Sequence, residues 1–367
     1  MPKLLYVTPA LNGPAVGGRA SLSRLHQNCL RELLGNGLAI EELEQSTAPV
    51  GTFQALLGYI NGVTPAAIRR IVQRISDEGI DRVYLDGSNL GRLAAAIHSQ
   101  LPHVELFTFF HNVEARFFLG ALKQRPGLRA LAVMVANYLA ERAAVRSSSR
   151  LVTLSQRDGR GLARLYGRGA TDTLPMAVQD RLESLSAEAE RVADGGYALF
   201  VGGAFYANQA GILWFAKNVA PQLPIRTVVI GNGMESLREE LERNGAVEVI
   251  GGVESVAPWY VAARVVIAPI FDGSGMKTKV AEALMFGKRI VGTPEAFSGY
   301  DEIADAAGWV CASKDEFVSA LHEVEQFSIP RFDPALRSLY EQRYSERAAV
   351  AGFQRLFEES SFSIGVA

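Results

Sequence analysis

Short apolar runs alternate with amphipathic helical stretches along this chain, and the alternation occurs once in each half of the sequence. Parallel strands need long, usually helical, connections, so this order predicts parallel sheets with helical crossovers. We therefore predict an α/β protein made of two Rossmann-like, doubly wound domains. The expected strands are 3–8, 82–86, 105–110 and 150–154 in the first half, and 197–201, 227–230, 247–250, 265–268, 289–292 and 309–311 in the second.

The alternation pauses at residues 178–196, a polar and acidic stretch that ends in Gly195-Gly196. Glycine and clustered polar residues favour loops, so we interpret this stretch as an interdomain connection. The predicted divisions are a first domain over 1–178, a connection over 179–196, a second domain over 197–340 and a C-terminal helix over 341–367 that packs back toward the first domain. In open parallel sheets ligands bind beyond the carboxyl ends of the strands. We expect the two sheets to face each other across a cleft.

The charge distribution constrains the partners. The 367-residue chain has a formal net charge of −2, which argues against a nucleic-acid partner. Residues 111–170, however, contain eleven Lys or Arg and only three acidic residues, a net charge of +8. Such a segment is either a set of solvated helix faces or a surface that faces anionic lipid or a pyrophosphate-bearing ligand.

Three features predict a cytoplasmic protein. The two cysteines, Cys29 and Cys311, lie far apart in the sequence and are expected to be reduced, buried thiols. The N-terminal residues run directly into the strand expected at 3–8 without a signal peptide. The most apolar helical run, 130–140, is shorter than the roughly 20 residues that a membrane-spanning helix needs.

The segment 268–284 carries the sharpest chemical signal, with a strand, a glycine loop and a helix in succession. Glycines at 273 and 275 permit positive φ and close approach to a ligand. A helix that begins near Met276 would direct free N–H groups and its positive dipole end at the loop, which suits a pyrophosphate. Lys277 and Lys279 add positive charge there, and the Glu282 carboxylate could accept hydrogen bonds from ribose hydroxyls. A generic helix start is the alternative interpretation.

In this context the sequence resembles the GT-B glycosyltransferases, specifically the family-4 or group 1 sugar transferases of capsule, exopolysaccharide or O-antigen synthesis. Glu282 matches the second Glu of a pair that the family carries in its second domain, and residues 283–293 match the family's small-residue stretch after that Glu. The resemblance extends over nearly the whole chain and is strongest over 197–300. The other similar segments are Leu199–Gly203, Val229–Gly233, Ile250–Val253, Gly17-Gly18, Phe110–Asn112 and Thr153–Ser155.

The resemblance implies a nucleotide-sugar-binding second domain and an acceptor-binding first domain. The expected catalytic residues are His111, Lys277 and Glu282. His111 is expected to contact the donor sugar or to position the acceptor. The expected donor-binding residues are Gly17, Gly18, Gly231, Asn232, Gly233, Val253, Gly273, Ser274, Gly275, Met276, Lys277, Thr278, Lys279 and Glu282.

The chain departs from the family pattern at two places. The first Glu of the family pair corresponds to Ser274, which can form hydrogen bonds but carries no charge. The Arg and Lys that many relatives carry after the first strand of the second domain are missing from Gly203–Asn208. We therefore expect Lys277, with Lys279, to supply the positive charge that holds the diphosphate.

The implied reaction transfers a sugar from a nucleoside diphosphate to a hydroxyl of a glycan or a polyprenyl-pyrophosphate-linked acceptor. Family resemblance implies retention of the anomeric configuration. We expect neither a cofactor nor a metal, because the sequence has no Asp-x-Asp pattern and no His/Cys/Asp/Glu cluster with metal-ligand spacing. The leaving diphosphate would then depend on N–H groups and cations. The basic 111–170 segment is the candidate for peripheral contact with the inner face of a membrane.

Two alternatives stay open: a sugar-nucleotide epimerase or glycan phosphorylase on the same fold, and a non-catalytic binding or assembly subunit that keeps the fold. The missing Arg and Lys pair and the missing first Glu give weight to the second. The sequence leaves the donor sugar, the nucleobase, the acceptor, the stereochemistry and the oligomeric state undetermined.

Overall fold

The computed structural model describes residues 3–10, 17–44, 51–182, 196–327 and 329–362. The chain divides into two compact units. Unit 1 comprises Met1–Pro175 together with Ala349–Ala367, and unit 2 comprises Met176–Ala348. Most of the predicted connection, residues 183–195, lies outside the described residues.

Unit 1 contains a parallel sheet of six strands within its described residues, in the order β2-β1-β3-β4-β5-β6. Its strands are β1 (Leu4–Pro9), β2 (Leu38–Leu43), β3 (Arg82–Leu85), β4 (Glu105–Phe110), β5 (Arg150–Thr153) and β6 (Asp172–Thr173). Its helices are α1 (Gly18–Leu34), α2 (Thr52–Leu56), α3 (Pro65–Glu78), α4 (Gly91–Gln100), α5 (Glu114–Gln124), α6 (Leu128–Ser147) and α7 (Gln156–Tyr166).

Unit 2 repeats this plan, and its described residues form a parallel sheet of six strands in the order β12-β11-β10-β7-β8-β9. The strands are β7 (Ala198–Val201), β8 (Thr227–Ile230), β9 (Val247–Gly251), β10 (Val265–Ala268), β11 (Ile290–Gly292) and β12 (Gly308–Val310). The helices are α8 (Tyr206–Asn218), α9 (Arg238–Leu241), α10 (Ala257–Ala262), α11 (Thr278–Met285), α12 (Ala304–Ala307), α13 (Lys314–Gln326), α14 (Pro334–Arg343) and α15 (Glu346–Phe362), the last of which ends within unit 1.

The central strands are buried on both faces, as expected for parallel sheets with helices on either side. Strand β4 shows this most clearly, because Phe107, Phe109 and Phe110 are each fully buried. Complete burial of a phenylalanine side chain contributes about 1.5–3 kcal/mol. Both observed sheets confirm the predicted α/β class and its doubly wound plan.

Two short strands escaped the sequence prediction. Strand β2 forms one edge of its sheet, and its residues Leu38–Glu41 are only half-buried, so it lacks the apolar run that marks a central strand. Strand β6 is two residues long, too short to give a pattern. Edge strands tolerate polar residues because one side of the strand is unpaired.

The C-terminal region contains two helices where the sequence analysis placed one. Helix α14 ends at Arg343, and the Ser345 hydroxyl accepts a hydrogen bond from Ala348 N at 3.2 Å, which starts α15. In unit 1, Phe353 of α15 lies edge-on to Tyr84 of β3 at 5.8 Å between ring centroids. Within the described residues, no helix is long and apolar enough to cross a membrane.

Candidate functional site

Asp86 and His111 form a buried pair at the carboxyl ends of β3 and β4. His111 Nε2 lies 2.8 Å from Asp86 Oδ1, and Thr8 Oγ1, on β1, donates to Asp86 Oδ2 at 2.8 Å. Burial by itself raises the pKa of Asp86, but its interactions with His111, Ser23 and His26 together bring that pKa well below its usual value. An ionised carboxylate only accepts hydrogen bonds, so His111 Nε2 carries the proton in this pair.

The other ring nitrogen of His111, Nδ1, takes no part in the hydrogen bond with Asp86. Nδ1 is buried and has no hydrogen-bond partner among the residues that the structure describes. With Nε2 protonated, a neutral His111 presents Nδ1 as an acceptor. The ring also meets the edge of Phe109 at 4.9 Å between centroids, which fixes its plane. Asp86 therefore sets both the tautomer and the orientation of His111.

Glu141 of α6 anchors the loop after His111. Its carboxylate accepts hydrogen bonds from the backbone N–H groups of Glu114 (2.9 Å) and Ala115 (3.2 Å), and from the hydroxyls of Ser88 (3.0 Å) and Tyr166 (2.6 Å). The carboxylate thus caps the N-terminus of α5, whose own N-cap residue offers no side-chain cap. Burial raises the pKa of Glu141 to about 7.

The predicted glycine pair of unit 1 opens helix α1. Gly17 has φ 92°, and α1 begins at Gly18. The next residue, Arg19, donates to Asn89 Oδ1 at 3.3 Å and lies 3.6 Å from Glu114 Oε1. Glu114, the first residue of α5, is buried. The start of α1 and the segments that follow β3 and β4 thus meet at one edge of the sheet.

Three turns pack together at the carboxyl ends of β7, β8 and β9 in unit 2. Gly231 N donates to Gly251 O at 2.7 Å, and Ala204 N donates to Asn232 O at 3.0 Å. Gly231 has φ 150°, and a Cβ there would lie 2.0 Å from Gly202 O, so only glycine fits this close approach.

Glu235 joins two of these turns, because its Oε1 accepts from Gly252 N at 2.6 Å. The predicted residues Gly231, Asn232 and Gly233 therefore adjoin the turn that contains Val253, which is half-buried. The structure brings these four predicted donor-binding residues together.

The glycine loop after β10 has the predicted positive φ angles, 141° at Gly273 and 68° at Gly275. Helix α11 begins at Thr278, two residues later than expected near Met276, because Lys277 has extended backbone angles. Ser274 lies half-buried in the loop and Met276 is buried. Among the described residues, no side chain caps α11, so its first N–H groups have the orientation that suits an anion.

Lys277 is held inside this loop by an acidic partner. Its Nζ donates to Gly275 O at 2.8 Å and to Glu295 Oε1 at 3.0 Å. The sequence analysis missed Glu295, because 18 residues separate the two and nothing local pairs them. A diphosphate at Lys277 would have to compete with this carboxylate.

Lys279 is buried beneath the turn after β7. Its Nζ donates to Asn208 Oδ1 at 3.0 Å and lies 4.1 Å from the centroid of the Phe200 ring. Burial lowers the pKa of Lys279 to about 7. Because Asn208 also donates to Gly203 O at 2.9 Å, Lys279 is linked to the segment from which the family's Arg and Lys are missing.

Glu282 is half-buried on α11, one turn after the helix start. Its Oε2 accepts from the Tyr260 hydroxyl at 3.0 Å, and the Tyr260 ring stacks on Phe286 at 4.9 Å between centroids. Burial raises the pKa of Glu282. One carboxylate oxygen is thus fixed by Tyr260, which orients the other.

The predicted site residues therefore divide between the units. Gly17, Gly18 and His111 lie in unit 1, and the remaining predicted residues lie in unit 2. Sequence reasoning missed Asp86 as the partner of His111. The available signal was that Asp86 is the last residue of a predicted strand and that His111 directly follows another, so both were expected at strand carboxyl ends.

A family model supports the assignment of the second unit. Residues 195–326 match the family described as glycosyl transferases group 1. This range contains every unit 2 residue predicted for the site. The match confirms the glycosyltransferase class that the sequence resemblance implied. No curated protein sequence matches this chain.

Solved structures extend the similarity to the whole chain at the level of fold. Sucrose-phosphate synthase from Thermosynechococcus elongatus is 14% identical, with a TM-score of 0.75 over 99% of this chain and 100% of that one. HepE from Anabaena, in complex with UDP-glucose, is 15% identical, with a TM-score of 0.67 over 98% and 99%. WaaG, a glycosyltransferase involved in lipopolysaccharide biosynthesis, is 15% identical, with a TM-score of 0.59 over 95% and 94%. These similarities confirm the predicted GT-B fold.

Proposed function

Residues 195–326 form a group 1 glycosyltransferase domain within a chain of GT-B fold, and from this premise we propose that the protein moves a sugar from a nucleoside-diphosphate donor to an acceptor hydroxyl. The observation that carries the proposal is the arrangement in unit 2. Three packed turns and an uncapped helix start lie at the carboxyl ends of its parallel strands, where open α/β sheets bind ligands. The similar Anabaena HepE binds UDP-glucose, which supports a nucleotide sugar as donor.

In this proposal different residues of unit 2 bind different parts of the donor. The turns at Gly231–Gly233 and Gly251–Val253 hold the nucleoside, and Glu282 accepts hydrogen bonds from the ribose hydroxyls. The Gly273–Thr278 loop and the start of α11 hold the diphosphate, with Lys277 and Lys279 as its positive charges. Preorganised N–H groups and cations stabilise the charge that develops on the leaving diphosphate. We propose that this suffices without a metal and that the reaction retains the anomeric configuration.

A thermal-shift screen with UDP-, GDP-, dTDP- and CMP-sugars tests the proposal directly. A donor at about a hundred times its dissociation constant adds about 2.7 kcal/mol of stability. For a unit of this size that should raise Tm by roughly 5–10 °C. Product analysis with the stabilising donor then identifies transfer and its stereochemistry. Nucleotide binding without transfer or epimerisation would favour a binding subunit, and no stabilisation by any of the four would contradict the donor site.

Replacing Lys277 with alanine should weaken donor binding. Loss of a charge-assisted hydrogen bond costs about 1.5–3 kcal/mol, so the donor dissociation constant should rise roughly 10- to 100-fold. Removing Lys277 also takes its positive charge away from Glu295, whose negative charge would then repel the diphosphate. The double variant Lys277→Ala/Glu295→Gln should therefore recover part of the affinity. Isothermal titration calorimetry measures the donor dissociation constants of the single and the double variant, with Lys314→Ala, at an exposed lysine, as the control. Unchanged donor affinity in Lys277→Ala would refute the role of Lys277 in holding the diphosphate.

The acceptor in this proposal is a glycan or a polyprenyl-pyrophosphate-linked glycan at a membrane surface. Some of the basic residues of the 111–170 segment support an acceptor at a membrane surface, and others have structural contacts instead. Arg150 pairs with Asp172, and Arg168 donates to the carbonyls of Val145, Ser148 and Ser149, so these two are structural. Lys123, in the last turn of α5, and Arg125, directly after that helix, are in contrast exposed.

Exposed basic residues predict binding to anionic vesicles. Each Lys or Arg near an anionic surface contributes about 1 kcal/mol, so Lys123→Glu/Arg125→Glu should weaken sedimentation with phosphatidylglycerol vesicles at least tenfold at low salt. The matched control, Lys217→Glu/Lys314→Glu, changes the same net charge in unit 2 and should bind as the unaltered protein does. Binding should be lost as salt screens the charges. Salt-insensitive binding, or none at low salt, would contradict membrane contact through this segment.

A further inference from the structure

Glu141 of α6 is a fully buried carboxylate whose hydrogen-bond donors are all neutral groups, two backbone N–H groups and two hydroxyls. Burial of an ionised carboxylate is costly, even when hydrogen bonds satisfy its oxygens. Buried groups with perturbed ionisation occur preferentially at functional sites. The segments that carry the four donors indicate which function Glu141 serves.

One oxygen of Glu141 connects the segments that follow β3 and β4. Oε1 accepts from the Ser88 hydroxyl at 3.0 Å and from the Glu114 N–H at 2.9 Å. Ser88 lies two residues after Asp86, and Glu114 lies three residues after His111. Because Asp86 and His111 are themselves in contact at 2.8 Å, the two segments are joined at the pair and again at the carboxylate.

The connections between the pair and the carboxylate are short. Asp86 and Ser88 are separated only by Gly87, whose φ of 138° lies in the region that favours glycine. His111 and Glu114 are separated by two residues, and both Ser88 and Glu114 are buried. Displacement of either attachment point would therefore displace a member of the pair. A misplacement of about 1 Å in an active site can lower a rate about 100-fold.

The second oxygen of Glu141 has donors of the same two kinds. Oε2 accepts from the Tyr166 hydroxyl at 2.6 Å and from the Ala115 N–H at 3.2 Å, so each oxygen faces one hydroxyl and one backbone N–H. A hydroxyl can turn and accept a hydrogen bond, but an N–H cannot. A proton on either oxygen, or an amide nitrogen in its place, thus opposes one N–H at the start of α5. Only the ionised carboxylate accepts fully from all four donors.

We propose that the ionised carboxylate of Glu141 is a positioning group for the reaction, which holds the Asp86–His111 pair in place through Ser88 and the start of α5. This inference rests on the proposed glycosyl transfer, because it assigns a supporting residue to His111 in that reaction. It goes beyond the capping of α5, since it makes turnover depend on the protonation of a fully buried side chain.

The surroundings of Glu141 set the direction of its pH dependence. The titratable side chains that face it are Tyr166 on α7 and Glu114 on α5, and α4 meets α6 at Gly91, which has no side chain. Burial raises the pKa of Glu141 to about 7, with the Glu114 charge adding to this effect and the Tyr166 hydrogen bond opposing it. The ionised form therefore accumulates as the pH rises through 7, and kcat should rise with it.

Glu141→Gln keeps the shape of the side chain and removes its charge, so it imitates the protonated acid. At a pH well above 7 it should lower kcat roughly 10- to 100-fold and leave the donor Michaelis constant unchanged. The ratio of kcat in the unaltered protein to kcat in the variant should fall toward one as the pH is lowered through 7. Glu32→Gln, at an exposed position of α1, is the matched control. A ratio near one at every pH, or a ratio that does not change with pH, would overturn the proposal.

Tyr166→Phe tests the same group without touching either N–H contact. Its hydroxyl lowers the pKa of Glu141, so its removal should move the rise in kcat to higher pH by about one to two pH units. The kcat reached after that rise should change little. This nearly isosteric variant decides the question if Glu141→Gln fails to fold by circular dichroism. An unshifted rise would assign the pH dependence to another group and overturn the proposal.

Amide hydrogen exchange tests the arrangement without any substrate. The N–H groups of Glu114 and Ala115 should be protected in the unaltered chain, and one of them should exchange at least tenfold faster in Glu141→Gln. Nuclear magnetic resonance resolves the two amides. Equal exchange in the two proteins would overturn the inference irrespective of any result with a donor.

Failure of this inference is distinguishable from failure of the proposed function. Donor-induced stabilisation in the thermal-shift screen depends on unit 2 residues and should be the same in Glu141→Gln and the unaltered chain. If donors stabilise both proteins and the variant has normal kcat at every pH, only the role of Glu141 is wrong. If no donor stabilises either protein, the proposed function is wrong, even where hydrogen exchange shows that Glu141 holds the start of α5.

Discussion

Replacing His111 with alanine should lower kcat by about 10²–10⁴-fold, the range typical of a positioned side chain that handles a proton or a hydrogen bond in the transition state. His111 ends a buried strand, and Asp86 fixes its ring from Nε2 at 2.8 Å. Nδ1 is left to meet a substrate hydroxyl. Loss of the ring removes that contact in the transition state, so the effect should fall on kcat rather than on donor affinity.

A test of His111 must distinguish a loss of catalysis from a loss of folding, because removal of the imidazole leaves Asp86 buried without its main partner. Breaking a buried charged pair costs about 3–5 kcal/mol of stability. The amide of His111→Asn can still donate to Asp86, so this variant should fold better yet remain equally inactive. Full activity in His111→Asn would show that the residue is structural. His103→Ala, at an exposed histidine, is the matched control and should retain normal kcat.

Substitution of Asp86 provides a second test, because a purely structural role for this residue would not change the pH profile of kcat. Asp86→Asn can donate as well as accept, so it no longer enforces the Nε2-protonated tautomer of His111. We expect a lower kcat and a shifted pH profile in this variant. An unaltered pH profile with reduced stability would instead limit the pair to holding β3 and β4 together.

Glu282→Ala should raise the donor Michaelis constant or abolish activity, with the fold intact. Two hydrogen bonds from ribose hydroxyls to a carboxylate are each worth about 1.5–3 kcal/mol, so donor affinity should fall by at least 10²-fold. The residue is half-buried, and its partner Tyr260 is also packed against Phe286, so the helix should survive the change. Calorimetric titration with the donor identified by the thermal-shift screen measures the loss.

Two further variants make the Glu282 result specific. Glu282→Gln keeps the size of the side chain and an acceptor for the Tyr260 hydroxyl, but it loses the negative charge. Its donor affinity should therefore lie between that of the unaltered protein and that of Glu282→Ala. Glu240→Ala, on an exposed position of α9, should change nothing. A deoxyribose donor should bind the unaltered protein more weakly but should lose nothing further in Glu282→Ala. Wild-type donor kinetics in a correctly folded Glu282→Ala would refute the ribose assignment.

The central strands of both sheets were predictable because their burial leaves a direct pattern in the sequence. Strand β10 is a continuous apolar run and β4 is mostly apolar, and the observed bounds, Glu105–Phe110 for β4 and Val265–Ala268 for β10, agree with those expected. The edge strands β2 and β6 of the first sheet were not predicted, because neither leaves such a pattern. Four residues of β2 are only half-buried, β6 has two residues, and the break between α14 and α15 depends on one serine cap.

The amino-acid sequence by itself determined the two-part α/β plan and the strand ends where candidate residues lie, because periodicity and glycine spacing are properties of neighbouring residues. The glycosyltransferase class followed from the resemblance of its motifs to a known family. Only the tertiary structure decided which side chains meet. Asp86 reaches His111 across 25 residues, Glu141 reaches the start of α5 across 27, and Lys277 reaches Glu295 across 18. Such contacts arise from strand order and helix packing, since parallel crossovers bring together strand ends that are distant in the chain.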